Sequence, residues 1–215
     1  MESNRYAELR ENYMMSGLLE TEALADPFAQ FHKWFDESLA AQLLEPNAMS
    51  LATVAASGRP SVRMVLLKAL DERGFSFFTN YSSRKAQELD ANPAASLCFH
   101  WKELERQVRT SGLVAKLSRE ESEIYFAMRP RASQIGAWAS AQSEVIRSRE
   151  TLEAARRLYE QEFEGKPVPM PDIWGGFLLR PDEFEFWQGR PGRLHDRLHY
   201  HRLSDNSWPI TRLSP

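Results

Sequence analysis

With 215 residues, 42% of them hydrophobic and 27% charged, the chain is long enough for one substantial core and too apolar to be mostly disordered. Lys and Arg number 27 and Asp and Glu 30, a formal charge of −3 that excludes a globally basic nucleic-acid coat but leaves room for a local basic pocket. Cys98 is the only cysteine, so neither an intramolecular disulfide nor a Cys-rich zinc site can form within the chain.

In chain order, MESNRYAELRENY is charged throughout and lacks the apolar stretch of a signal peptide. No later run approaches the roughly 18 apolar residues that cross a bilayer. A cytoplasmic protein with no membrane or nucleic-acid partner is expected. Asp26 reads as an N-cap with Pro27 in the first helical position, followed by Phe28, Phe31, Trp34, Phe35, Leu39 and Leu43 at helical spacing. The period then changes. Ala48–Ala56, Val62–Leu70, Phe75–Thr79, Ala95–Trp101 and Gln107–Leu117 read as strands, the first three close enough for antiparallel hairpins. A short helix fits Ser83–Ala91. Ser118 and Glu121 form a capping box that opens a helix ended by Pro130, and a longer helix fits Arg147–Phe163. Strands are expected at Trp174–Leu179, Glu183–Gln188, Arg193–Arg202 and Trp208–Leu213. Strands in both halves with helices between them predict an α+β antiparallel barrel with peripheral helices.

The sequence contains no G-x-G-x-x-G, Walker A, G-x-S-x-G or H-E-x-x-H motif, which removes support for Rossmann, P-loop, α/β-hydrolase and zincin chemistry. Four segments carry charge in unusual places. In Arg63-Met64-Val65-Leu66-Leu67-Lys68 the two cations fall on opposite faces of an apolar strand, where they serve either two anionic groups or simply water at the strand ends. Ser82-Ser83-Arg84-Lys85 places two cations at a helix start, unfavourable to the helix dipole unless an anion binds there. Tyr125, Arg129 and Ser133 recur every four residues around Pro130 and can converge on a phosphomonoester, although such spacing also fits an ordinary amphipathic face. If Arg193–Arg202 is a strand, then Arg193, His195, Arg197, His199 and His201 share one side. Two arginines interleaved with the histidines oppose a metal and favour an anionic or electron-rich ligand; charges on a solvated edge strand are the simpler alternative.

The runs RMVLLK, FFTNYSSRKAQEL, LERQVR and YFAMRPRASQIGAWAS-AQS, with the block FWQGRPGRLHDR, resemble the pyridoxine (pyridoxamine) 5′-phosphate oxidase family from about residue 45 to the C-terminal RLSP, with a looser match in LRENYMMSGL. The resemblance implies an FMN-binding split β-barrel over residues 26–215, preceded by a mobile segment over 1–25. It further implies a homodimer with the flavin between subunits, and O2-dependent oxidation of pyridoxine 5′-phosphate or pyridoxamine 5′-phosphate to pyridoxal 5′-phosphate with release of hydrogen peroxide. On this basis Arg63, Met64, Val65, Leu66, Leu67, Lys68, Phe78, Thr79, Arg84, Lys85, Gln107, Gln142, Ser143, Trp187 and Arg197 are expected to hold FMN. Lys68, Tyr125, Arg129 and Ser133 match the substrate-phosphate residues, while Arg193 and His195, with Leu194 between them, match those that cover the pyridine ring. Arg10 and Tyr13 align with a stretch that folds over the substrate, though Glu11-Asn12 departs from its commoner basic pattern. No metal is implied. The competing readings are another split-barrel flavoprotein, such as a haem-degrading or deazaflavin-dependent relative, and a non-catalytic binder of FMN or a vitamin B6 phosphate. The proton acceptor stays open: Arg193 is too basic for that role, and His195 is equally suited to orienting the substrate.

Overall fold

A computed structural model describes residues 17–215, so Arg10, Tyr13 and most of the expected N-terminal segment lie outside the described residues. In chain order its elements are α1 (Pro27–Ala40), β1 (Ala48–Val54), β2 (Pro60–Leu66), β3 (Ala69–Asp71), β4 (Gly74–Asn80), α2 (Arg84–Ala91), β5 (Ala94–Trp101), β6 (Arg106–Lys116), α3 (Arg119–Met128), α4 (Arg131–Ala139), α5 (Arg149–Glu162), β7 (Trp174–Gln188), β8 (Asp196–His201) and β9 (Ile210–Arg212). The α+β reading holds. Hydrogen bonding orders the strands β2-β1-β5-β6-β7-β4-β3, with β8 on β7 and β9 on β8. The pairs β3/β4, β4/β7, β7/β8 and β8/β9 are antiparallel.

Local chemistry sets the helix starts as the sequence predicts. The Asp26 carboxylate accepts from the N–H groups of Phe28 at 3.1 Å and Ala29 at 3.3 Å, with Pro27 in the first turn. Ser118 and Glu121 make both halves of the capping box of α3. At α2, Ser83 sits at the N-cap without a side-chain capping bond.

Three strand expectations are corrected. The run Val62–Leu70 is broken, because β2 ends at Leu66 and β3 begins at Ala69. The buried Leu67 and the Lys68 N–H, which donates to the Ser76 carbonyl at 2.9 Å, form the corner between them. The strands expected at Trp174–Leu179 and Glu183–Gln188 are one 15-residue strand, β7. Residues 174–179 pair with β4 and residues 183–188 with β8, so Pro181, which has no N–H to donate, falls where the partner changes. The expected strand Arg193–Arg202 begins only at Asp196. Arg193 lies in a single helical turn, Pro191–Arg193, in left-handed backbone conformation, so only Arg197, His199 and His201 share a strand face.

The chain divides into two compact units. In the one built from residues up to 49, 97–110 and 182–215, α1 lays its apolar face on aromatic strand residues. Trp34 meets Phe186 at 5.3 Å and Phe31 meets Phe99 at 4.9 Å, both edge to face. The buried Tyr200 hydroxyl is satisfied by the Leu24 carbonyl at 2.9 Å. The other unit, residues 50–96 and 111–181, packs Phe126, Ile135, Phe163, Met170 and Trp174 into a second cluster beside α3, α4 and α5.

Gly112 on β6 marks a close backbone approach, since an added Cβ would stand 2.0 Å from the Arg180 carbonyl oxygen. Gly112→Ala is expected to cost about 3 kcal/mol or more in urea unfolding, at the upper end of overpacking effects. Gly58→Ala meets nothing within 4 Å and pays only for a φ of +80°; it should cost about 1 kcal/mol.

Candidate active site

A cavity of about 450 Å³ opens in the unit formed by residues 50–96 and 111–181. It is lined by Met64, Val65 and Leu66 from β2, Lys68 from the following corner, Phe78 and Thr79 from β4 and Lys85 from α2. Tyr125, Arg129, Ser133 and Gln142 complete the expected residues that reach it. Asn80, Gly136, Ala137, Ser140 and Trp174 also line it and were not anticipated. Trp174 matters most among them. With Phe78 and Tyr125 it makes a stack of near-parallel rings, centroids 4.0 Å apart for Phe78–Tyr125 and 5.4 Å for Phe78–Trp174. Nothing local to the sequence marks Trp174 for this role, because its neighbours in the stack are about 50 and 100 residues away in the chain.

Arg129 lies at the end of α3, where Pro130 stops the helix, and its guanidinium stands 4.6 Å over the Trp174 ring and 5.4 Å from that of Phe126. Its Nη1 is, among the described residues, the one buried side-chain nitrogen or oxygen without a hydrogen-bond partner. Burial pushes its pKa below the usual arginine value. Tyr125 precedes it by one turn, and Ser133 follows in the first turn of α4, so the four-residue spacing does bring the three side chains to one cavity.

Lys85 reaches the same cavity from the first turn of α2. Its Nζ donates to Gln142 Oε1 at 3.0 Å, Thr79 Oγ1 at 3.1 Å and Ser83 Oγ at 3.4 Å, all uncharged. Burial, with help from the positive Arg63, lowers its pKa. Arg84 turns away to Glu88, its Nε donating at 2.8 Å, while its N–H meets Ser143 Oγ at 3.2 Å. Arg63 is neither in water nor in the cavity lining. It donates to the Leu51 carbonyl at 3.1 Å, Thr53 and Ser61 at 2.5 Å each, and Glu88 at 3.0 Å. Glu88, 5% exposed, therefore gathers Thr53, Ser61, Arg63 and Arg84. Burial alone would raise its pKa, but these donors outweigh it and hold the carboxyl at about 2. The sequence pattern did not single Glu88 out, although its spacing of four from Arg84 was a usable signal.

The remaining expected residues belong to the other unit. Gln107 is half-buried on β6 and Trp187 lies on β7 opposite Arg197 of β8. Arg197 grips Glu185 through Nε and Nη2, both at 3.0 Å, and donates to the Ser214 carbonyl at 2.7 Å. Glu185 also takes Arg109, and these arginines hold its pKa low against the raising effect of burial. Arg193 and Leu194 are exposed in the turn before β8. The His195 ring packs on Trp187 at 4.6 Å between centroids, and its Nδ1 accepts the Arg190 N–H at 3.1 Å. Burial and the charge of Arg193 lower its pKa. His199 meets Glu183 at 3.3 Å.

The strand order and peripheral helices define an antiparallel split β-barrel of the FMN-binding type, the fold shared with two solved structures. One is PhzG from Burkholderia lata in complex with tetrahydrophenazine-1-carboxylic acid, with TM-score 0.88, 32% identity, and coverage of 94% of this chain and 99% of that one. The other is a pyridoxamine 5′-phosphate oxidase-related, FMN binding protein from Nostoc punctiforme, with TM-score 0.71, 19% identity, and coverage of 86% and 97%. The family model described as pyridoxamine 5′-phosphate oxidase matches residues 35–161, and that of the pyridoxine 5′-phosphate oxidase C-terminal dimerisation region matches residues 174–215. Relatives named pyridoxine/pyridoxamine 5′-phosphate oxidase from Nostoc punctiforme and Burkholderia multivorans are each 58% identical, over 97% of this chain and 98% of theirs. The chain belongs to the pyridoxamine 5′-phosphate oxidase family. No helix among the described residues is long and apolar enough to cross a membrane.

Because the Glu88 carboxyl is held down to about 2 from 4.5, its contribution to stability is present above about 4.5 and lost as pH falls toward 2. Glu88→Gln should be less stable than the parent near neutrality, and its unfolding midpoint should fall less steeply through that acid window. Urea titrations across the window check this; parallel acid limbs for the two proteins would contradict it.

Proposed function

We propose that the protein is an FMN-dependent oxidase that converts pyridoxine 5′-phosphate or pyridoxamine 5′-phosphate to pyridoxal 5′-phosphate. The observation that carries this reading is the buried, unpartnered Nη1 of Arg129 in a cavity that also holds Lys68, Tyr125 and Ser133. A phosphate oxygen satisfies that donor, and a guanidinium can grip a phosphate through two parallel bonds. The high identity to relatives bearing the oxidase name supports the same substrate class.

The residues present also fit FMN. Lys85, hydrogen-bonded among the described residues only to neutral groups, stands at the start of α2, where the helix dipole and its cation favour a terminal phosphate. Arg63 and Arg84, steadied by Glu88, add positive charge beside it. FMN supplies the two-electron redox chemistry when bound, with O2 as final acceptor leaving as hydrogen peroxide, and ammonia released from the amine substrate. Met64, Val65, Leu66, Leu67, Lys68, Phe78, Thr79, Gln107, Gln142, Ser143, Trp187 and Arg197 are assigned to the rest of the flavin. Arg193, Leu194 and His195 are assigned to the pyridine ring. In this reading the protein is a homodimer with the flavin between subunits, which the match to a dimerisation region supports.

A second reading follows from the likeness to PhzG, whose bound ligand is a reduced phenazine carboxylic acid. One experiment separates the two. The purified protein should show a flavin spectrum, release FMN by mass, and evolve peroxide on addition of pyridoxine 5′-phosphate. Peroxide from a reduced phenazine carboxylate alone would establish the second reading, and recovery of FAD would overturn the cofactor assignment.

Arg129→Met keeps most of the side-chain volume and removes the fork. A hydrogen bond to a charged group is worth about 1.5–3 kcal/mol, so kcat/KM for pyridoxine 5′-phosphate should fall roughly 10- to 150-fold. FMN content should stay normal; a flavin-free variant would place Arg129 on the cofactor phosphate instead.

A further inference from the structure

The loop between β7 and β8 is tightly folded. Gly189 N–H donates to the Glu105 carbonyl at 2.7 Å, and Leu194 N–H reaches the Pro191 carbonyl at 3.3 Å. Gly192 and Arg193 both take left-handed backbone angles, φ 65° and 62°. Glycine adopts that conformation freely, but an arginine needs the surrounding structure to hold it there. The side chain that closes this loop is His195, through Nδ1 on the Arg190 N–H at 3.1 Å, with its ring braced on Trp187.

A backbone N–H only donates. The Nδ1 that receives it must present a lone pair, so the single proton of the neutral imidazole is on Nε2. We propose that His195 is a positioning residue, held as the Nε2–H tautomer, whose Nδ1 pins the loop bearing Arg193, and that it is not the base that takes the substrate's proton. A second proton would have to enter at Nδ1, head-on to the Arg190 N–H. In this state the ring offers one donor and no lone pair for the proton leaving the substrate's C4′ alcohol or amine. The surrounding charges agree. Arg193 disfavours an imidazolium, while Asp196, which favours one, is engaged by Arg212 at 2.6 Å and faces Arg190 at 3.5 Å. The assignment rests on the proposed oxidase reading only for what Arg193 contacts, because the tautomer follows from the loop itself.

Three substitutions in the FMN-loaded enzyme separate the two ring nitrogens. In His195→Asn the side-chain oxygen replaces Nδ1 as acceptor; in His195→Gln the amide reaches the Nε2 position; His195→Ala has neither. Loss of the loop bond should lower kcat/KM roughly 5- to 10-fold in the Ala and Gln variants, with Asn recovering most of that loss and FMN content unchanged throughout. The reverse order, with Gln active and Asn as poor as Ala, or no loss in any variant, would overturn the proposal. Nitrogen-15 NMR of the histidine side chains in the parent holoenzyme reads the tautomer directly, whatever the variants do. An unprotonated Nδ1 and a protonated Nε2 are expected near neutral pH, and a proton on Nδ1 sinks the assignment. A parent enzyme inactive on both vitamin B6 phosphates would overturn the functional reading alone, leaving the tautomer measurement to decide this one.

Discussion

A half-buried guanidinium whose buried Nη1 finds no hydrogen-bond partner among the described residues is the constraint on which the cavity turns. Leaving such a donor unmet costs about 1–3 kcal/mol, and more for a charged group. The chain holds Arg129 in that state by ending α3 at Pro130 and laying the guanidinium across Trp174, whose ring is itself fixed by its stack with Phe78 and Tyr125. The same packing fixes the guanidinium beside Lys68, Tyr125 and Ser133 in the cavity wall, so the cavity is preorganised for an anionic oxygen.

Charge elsewhere is handled in the opposite way. Glu88 collects four donors from β1, β2 and α2, and Glu185 takes Arg109 and Arg197. Each carboxylate is buried, yet its donors hold it ionised against burial. Around the start of α2, Arg63, Arg84 and Lys85 minus Glu88 leave two positive charges, a match for one phosphate dianion. The carboxylates steady the arginines, while Lys85 has only neutral partners among the described residues.

Backbone chemistry explains where strand expectations failed. Alternation along Val62–Leu70 and Arg193–Arg202 continues through residues that tertiary contacts turn aside. Leu67 is drawn into the core and the Lys68 N–H bonds to β4, while the 190–195 segment closes on its own hydrogen bond. Pro181, which falls between the expected strands Trp174–Leu179 and Glu183–Gln188, sits inside a single strand at the point where the hydrogen-bonding partner changes.

What the sequence determined was whatever depends on near neighbours: the caps of α1 and α3, the stop at Pro130, the cations at the start of α2, and the Tyr125–Arg129–Ser133 spacing. The ordered motifs also carried the family. Only the tertiary structure decided that Trp174 stacks beneath Arg129, that Arg63 turns to Glu88 instead of lining the cavity, and that Arg193 leaves the strand face its spacing assigned to it. These are pairings across tens of residues, chosen by which groups burial leaves in need of a partner, and local periodicity carries no record of them.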